Sequence, residues 1–256
     1  MDVPTVTLRS GAAMPLVGFG TWQLSGRGAY RATRAALDAG YRLIDTATMY
    51  GNEAEIGRAL RDSRIARDEV FLTTKLPPEN AGREQATIDA SLAALGTDHV
   101  DLWLVHWPPR DRVLERTWER FLSIRDDGLA TSVGVSNHSV AQVDRLTAAT
   151  GETPALDQVP WDPSRFDARF LAAARERGMV VEGYSPFKHT NLRDARLVAI
   201  ARAHGVTAAQ VVLRWHVQHE VVAIPKSKTP ERIAQNLDVF GFTLTDDEMH
   251  ALDTLS

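Results

Sequence analysis

A repeating alternation constrains this chain more than any other feature: helical stretches rich in Ala, Leu and Arg stop at a glycine, and a short β-branched run follows. Gly40 precedes the run 41–45, Gly96 precedes 100–106, Gly128 precedes 130–135, and Gly178 precedes 179–184. A glycine just past a helix takes the left-handed conformation that ends it, and the chain then turns back into a strand. Further strands fit at residues 17–20, 70–74, 155–158 and 221–224, which makes eight. Two short runs at the start, 5–8 and 15–17 around Ser10-Gly11, read as a β-hairpin.

Parallel strands need crossover connections, and this alternation supplies them, so the class is α/β. A doubly wound open sheet is one way to arrange such units. Eight consecutive units in 256 residues, with no proline- or serine-rich linker between them, point instead to a closed (β/α)8 TIM barrel with an N-terminal β-hairpin. One domain over 1–256 is the expectation.

Composition narrows the function classes. A net charge of −4 argues against a nucleic-acid binder, which needs clustered Lys and Arg to neutralise phosphates. With no cysteine there is no disulfide framework, no thiolate nucleophile and no Cys-ligated zinc. The first five residues carry neither the basic nor the apolar region of a signal peptide, and no apolar run nears the roughly 18 residues of a membrane helix. A cytoplasmic protein with no membrane contact is expected.

The informative residues stand at the carboxyl ends of the strands. In order they are Asp45, Lys75, His106, Ser136-Asn137, Gln158, Tyr184-Ser185 and Lys226-Ser227. A barrel gathers these ends at one mouth, where catalytic residues sit. Any one alone could be a loop residue satisfying its own backbone; seven around one rim read as a shared site.

Asp45, Tyr50, Lys75 and His106 supply a carboxylate, a phenol, an ammonium and an imidazole. A neighbouring ammonium stabilises phenolate, so Lys75 would lower the pKa of Tyr50 and make it a usable general acid. Asp45 would hold Lys75 in place and keep it charged. His106 would donate a hydrogen bond to a carbonyl oxygen and orient it. Protonating a carbonyl oxygen while its carbon is attacked is carbonyl reduction, and the attacking species is then a hydride from a nicotinamide cofactor.

These segments resemble the aldo-keto reductase family. The stretch 40–53 is similar to the signature around its catalytic Asp and Tyr, 73–76 to its lysine segment, and 104–108 to its histidine segment. Gly134-Val135-Ser136-Asn137 resembles the segment that binds the nicotinamide amide, and 224–233 with Asn236 the cofactor-phosphate motif. The resemblance implies Tyr50 as proton donor with Lys75 and Asp45 assisting, and His106 orienting the substrate. It implies Ser136, Asn137 and Gln158 on the carboxamide, Tyr184 stacked on the ring, and Ser185 and Phe187 along the pyrophosphate. Lys226, Ser227 and Arg232 would meet a 2′-phosphate, and Gln235 and Asn236 the adenine. That cationic cluster favours NADPH over NADH; its charges could also be solvated ones at a helix start.

The sequence departs from the family's pattern in places. Pro160-Trp161-Asp162-Pro163 stands where Glu-Tyr-His-Pro is frequent, His138 replaces a common Phe, and Gln235 a frequent Glu. Trp161 and Asp162 lie near the mouth and could alter the pocket. The segment after His106 is brief before a helix expected near Asp111, and the chain stops at Ser256 without a long tail. An open site is expected, similar to that of the short prokaryotic members such as 2,5-diketo-D-gluconate reductases, acting on small or hydrophilic carbonyls. Trp22, Met49 and Trp107 are its candidate apolar walls, although each could serve packing.

Other readings stay open. A lyase forming a Schiff base on Lys75 leaves Tyr50 and the cationic cluster unexplained. A cofactor-sensing subunit would not need the intact tetrad. For a metal hydrolase there is no His-x-His at a strand end, and His216 and His219 read as a structural pair on a helix, so no metal is expected. The expected partner is a small-molecule carbonyl, and the expected state a monomer.

Overall fold

The structure is a computed structural model that describes residues 3–109 and 113–255. Strand β1 (Thr5–Thr7) pairs antiparallel with β2 (Ala13–Pro15) as the N-terminal hairpin. Eight parallel strands follow in sequence order: β3 (Phe19–Gly20), β4 (Leu43–Asp45), β5 (Phe71–Leu76), β6 (Val100–Val105), β7 (Ala130–Ser136), β8 (Leu156–Pro160), β9 (Val180–Tyr184) and β10 (Val222–Ile224).

The second strand of the hairpin is shifted from its expected place. Residues 16 and 17 leave it to close the barrel: Ala223 N–H donates to the Leu16 carbonyl at 2.9 Å, and Gly18 N–H to the Ala223 carbonyl at 2.8 Å. Val17 thus bridges β10 in parallel, leaving only Phe19–Gly20 as regular strand. At this seam a Cβ on Gly20 would lie 2.7 Å from the Ile224 carbonyl oxygen, so the backbones meet only because that residue is glycine.

The crossovers are helical: α1 (Gly26–Ala39), α2 (Glu53–Ser63), α3 (Glu84–Leu95), α4 (Leu114–Asp126), α5 (Val140–Thr150) and α6 (Ala168–Glu176). Two helices, α7 (Ala195–Ala203) and α8 (Ala208–Gln218), separate β9 from β10, and α9 (Pro230–Leu237) and α10 (Asp246–Asp253) complete the chain. The expected helix start near Asp111 falls outside the described residues. Gly40 ends α1 as expected, at φ 106°, with its N–H on the Ala36 and Leu37 carbonyls.

Apolar side chains fill the space between sheet and helices; Trp103 of β6, for example, stacks on Phe121 of α4 with centroids 3.8 Å apart. Inside the barrel the strands alternate by two, so polar residues near their carboxyl ends share one layer. Among the described residues no helix is long and apolar enough to cross a membrane.

Candidate active site

Two strands place the central ion pair. Asp45 ends β4 and Lys75 lies one residue before the end of its neighbour β5. Lys75 Nζ donates to both Asp45 carboxylate oxygens at 2.7 Å and to the Thr46 carbonyl at 2.8 Å. Burial alone would push the ammonium pKa down, but Asp45 and Tyr50 outweigh it and hold Lys75 above its ordinary value.

A single 3-10 turn after β4, Thr48–Tyr50, brings the phenol over this pair. Thr48 Oγ1 ties the turn to the Lys75 carbonyl at 2.9 Å, and Lys75 Nζ donates to Tyr50 Oη at 3.4 Å. The Tyr50 pKa was expected to fall. Instead burial raises it, with Asp45 adding to the rise, and together they outweigh the pull of Lys75. The phenol therefore stays protonated at neutral pH.

His106 follows β6 and packs edge-on to Tyr50, ring centroids 5.7 Å apart. Burial, then the Lys75 charge, drives its pKa down to about 3, so the imidazole is neutral. Its buried Nδ1 has no hydrogen-bond partner among the described residues.

The next strands extend the layer. Ser136 Oγ donates to the Gln158 carbonyl at 2.8 Å, Asn137 Nδ2 to Ser136 Oγ at 2.9 Å, and Tyr184 Oη to Asn137 Oδ1 at 2.8 Å. Gln158 Nε2 donates to Asp45 at 2.8 Å and to Glu182 at 2.7 Å. Ser136, Asn137, Gln158 and Tyr184 thus form one network with Asp45 and Lys75. Ser185 follows directly at φ 56°, and Phe187 packs half-buried beyond it.

The expected phosphate cluster lies apart from this network, after β10. Lys226 and Arg232 are exposed, as is Gln235, while Ser227 and Asn236 are buried. The Thr229 side chain makes no cap hydrogen bond to α9, which leaves the first N–H groups of that helix without a side-chain partner. Trp22, Met49 and Trp107 stand 48, 51 and 44 % exposed on the loops after β3, β4 and β6.

The departures from pattern resolve into packing. Trp161 does not line the mouth: it joins Phe166, Phe170 and Trp215 in an aromatic cluster outside the sheet. Asp162 Oδ1 accepts from Ser164 and, at 3.0 Å, from Thr190, bracing the loop after β9. His138 is buried with Nδ1 2.9 Å from the Ser136 carbonyl oxygen. His216 is also buried, its ring nitrogens against the Val212 and Trp161 carbonyls. Among the described residues no three metal-ligating side chains converge.

Two contributors escaped the sequence reading. Asn52 accepts from Thr46 Oγ1 at 2.8 Å and donates to the Thr21 and Leu24 carbonyls at 3.0 and 2.9 Å, pinning the Trp22 loop to the Tyr50 turn. Glu182 was passed over inside a β-branched run, although period-two alternation from Tyr184 would have turned it inward. A groove of about 650 Å³ lies elsewhere, lined by Leu60, Leu92 and Leu95 of α2 and α3. Its Arg67 is already bonded to Asp101 and nearby carbonyls, so the chemistry points to the mouth.

A family model described as the aldo/keto reductase family matches residues 16–256. An aldo-keto reductase of Mycolicibacterium smegmatis is 46% identical over 99% of this chain and 91% of its own length. Morphine 6-dehydrogenase of Pseudomonas putida is 43% identical over 98% of this chain and 91% of its own. The 2,5-diketo-D-gluconic acid reductase B of a Corynebacterium is 42% identical, covering 99% and 94%. Among solved structures, an aldo/keto reductase from Brucella melitensis superposes with TM-score 0.96 at 41% identity over all of both chains. A Bombyx mori aldo-keto reductase in complex with NADP superposes with TM-score 0.95 at 30% identity, over 100% of this chain and 93% of that one.

Proposed function

The chain belongs to the aldo/keto reductase family, and from that membership we propose that it reduces aldehydes or ketones with NADPH, Tyr50 supplying the proton. The observation that carries this reading is Lys75 Nζ set between the Asp45 carboxylate and the Tyr50 hydroxyl, with the neutral His106 ring against Tyr50.

The residues present suit such a nucleotide. Gln158 commits its side-chain nitrogen to two carboxyl groups, so it can offer a carboxamide only its oxygen, as an acceptor. Ser136 and Asn137 lie beside it, and the Tyr184 ring stands at the mouth end of β9. Ser185 and Phe187 continue the path toward the phosphates. The exposed Lys226 and Arg232, with Ser227 and the free N–H groups of α9, suit the 2′-phosphate that distinguishes NADPH, and Gln235 and Asn236 would meet the adenine.

Bound there, the cofactor supplies the hydride. His106 and Tyr50 take the carbonyl oxygen between them, which fixes its orientation. As negative charge gathers on that oxygen, Tyr50 gives up its proton, and Lys75 stabilises the phenolate left behind. Asp45 keeps the ammonium charged and stationary.

For the substrate, mouth side chains that are about half exposed leave room for small or hydrophilic carbonyls, in keeping with the diketogluconate-reducing relative. The three half-exposed walls, Trp22, Met49 and Trp107, favour a second reading, an alicyclic or aromatic carbonyl, in keeping with the morphine-oxidising relative.

The test begins with NADPH and NADH titrations by tryptophan fluorescence, followed by NADPH oxidation with sugar-derived dicarbonyls and cyclic ketones. Tyr50→Phe should lower kcat by roughly 10²–10⁴-fold while NADPH affinity stays within a few-fold. Turnover by the variant at the wild-type rate, or no nucleotide binding by the wild type, would overturn the proposal.

A further inference from the structure

Among the described residues, Glu182 is the titratable group inside the barrel that this chemistry leaves unused. It lies two residues before Tyr184 on β9 and is fully buried. Between them, the side of Gly183 faces Trp161 and His216 on the outside of the sheet, so Glu182 and Tyr184 both point inward. Glu182 Oε2 accepts from Gln158 Nε2 at 2.7 Å, and the same nitrogen donates to Asp45 Oδ2 at 2.8 Å. The other oxygen, Oε1, is buried without a hydrogen-bond partner among the described residues.

Among the described residues its surroundings contain one cation, one other carboxylate and one phenol. Asp45 of β4, Lys75 of β5 and Tyr50 of the turn after β4 act on it across the interior, and β8 contributes Gln158. On its own strand Tyr184 stands toward the mouth, and β10 sets the apolar Val222 beside it. His216 of α8 reaches β9 only from outside. Burial, followed by the Asp45 charge, raises the Glu182 acid to about 8, against the pull of Gln158 and Lys75.

Near neutrality the layer is therefore balanced, Asp45 against Lys75. Ionising Glu182 adds a buried negative charge with no cation left to match it. The oxidised nicotinamide ring is a cation and the reduced ring is neutral, so such a charge acts on one and not on the other. We propose that Glu182 is a charge switch beneath the nicotinamide position, its ionisation favouring the oxidised over the reduced nucleotide. The proposal rests on the reading that the nucleotide binds at this mouth. Glu182 is a positioning residue here, acting through Gln158 and through its field.

The experiment measures Kd for NADP⁺ and for NADPH by tryptophan fluorescence between pH 6.5 and 9.5, in the wild type and in Glu182→Gln. The glutamine oxygen can still accept from Gln158, and the Kd ratio cancels titration of the phosphate both nucleotides share. In the wild type, preference for NADP⁺ over NADPH should rise about tenfold across this range, the scale of a single charge interaction of ~1.4 kcal/mol. In the variant the ratio should stay flat. Equal pH dependence in the two proteins overturns the proposal, and a flat wild-type profile does so even if the variant fails to fold. Absence of binding by either nucleotide to the wild type defeats the underlying reading, and the switch with it.

Discussion

Lys75 Nζ lies 2.7 Å from each oxygen of the Asp45 carboxylate, and neither side chain is more than 2% exposed. Removing one partner of a buried pair strands the other charge, and this costs more than the pair itself contributes. Asp45→Ala should therefore destabilise the fold by about 3–5 kcal/mol. The double replacement Asp45→Leu, Lys75→Met should cost less than the single one. Urea unfolding of the three proteins decides the point, and a single variant as stable as the wild type would mean that Lys75 finds water or another anion.

Asn52 joins the Tyr50 turn to the Trp22 loop through three buried hydrogen bonds. Truncation to alanine leaves the Thr21 and Leu24 carbonyls and the Thr46 hydroxyl without that partner. The expected loss is about 2 kcal/mol, since each unpaired buried group costs on the order of 1–3 and neighbours relax. Kinetically, Asn52→Ala should raise KM for carbonyl substrates more than it lowers kcat, with Kd for NADPH little changed. A kcat effect alone would place the damage at Tyr50 rather than at the loop.

Asp157 gives the fold a pH dependence of definite sign. Burial lifts its pKa from 3.8 to about 7, against the backbone N–H groups of His138 and Asn137. Because the folded pKa is the higher one, its stabilising contribution is complete below about 3.8 and is lost as pH rises through about 7. Asp157→Asn is neutral throughout and serves as the reference. Between pH 5 and pH 8 the wild type should lose about 2–3 kcal/mol relative to the variant, from 1.36 kcal/mol per pKa unit. Parallel stability curves in guanidinium unfolding would show that Asp157 is ionised in the native state.

The barrel and its rim were legible in the sequence because both follow from local rules. Each C′ glycine marks where a helix ends, and the residue types at the strand ends stand out against apolar runs. Closure was less legible: whether Leu16 and Val17 continue a hairpin or turn to β10 depends on Ala223, more than 200 residues away. The sign of the Tyr50 shift was missed for a similar reason, since Lys75 is visible in the sequence as a charge but the depth of burial is not. Trp161 read as lying near the mouth, three residues after Gln158, yet its partners, Phe170 and Trp215, come from later helices.

Trp22, Met49 and Trp107 sit on three separate loops, each about half exposed, while Asp45 and Lys75 are locked in the strands below. Replacing a half-exposed loop side chain typically shifts stability by about half a kcal/mol or less, whereas the strand residues tolerate almost nothing. Inheritance can therefore act on the two halves separately. If these three side chains are the substrate walls proposed above, a lineage built on this frame can try one substrate after another by changing them, while the buried layer beneath passes on unaltered.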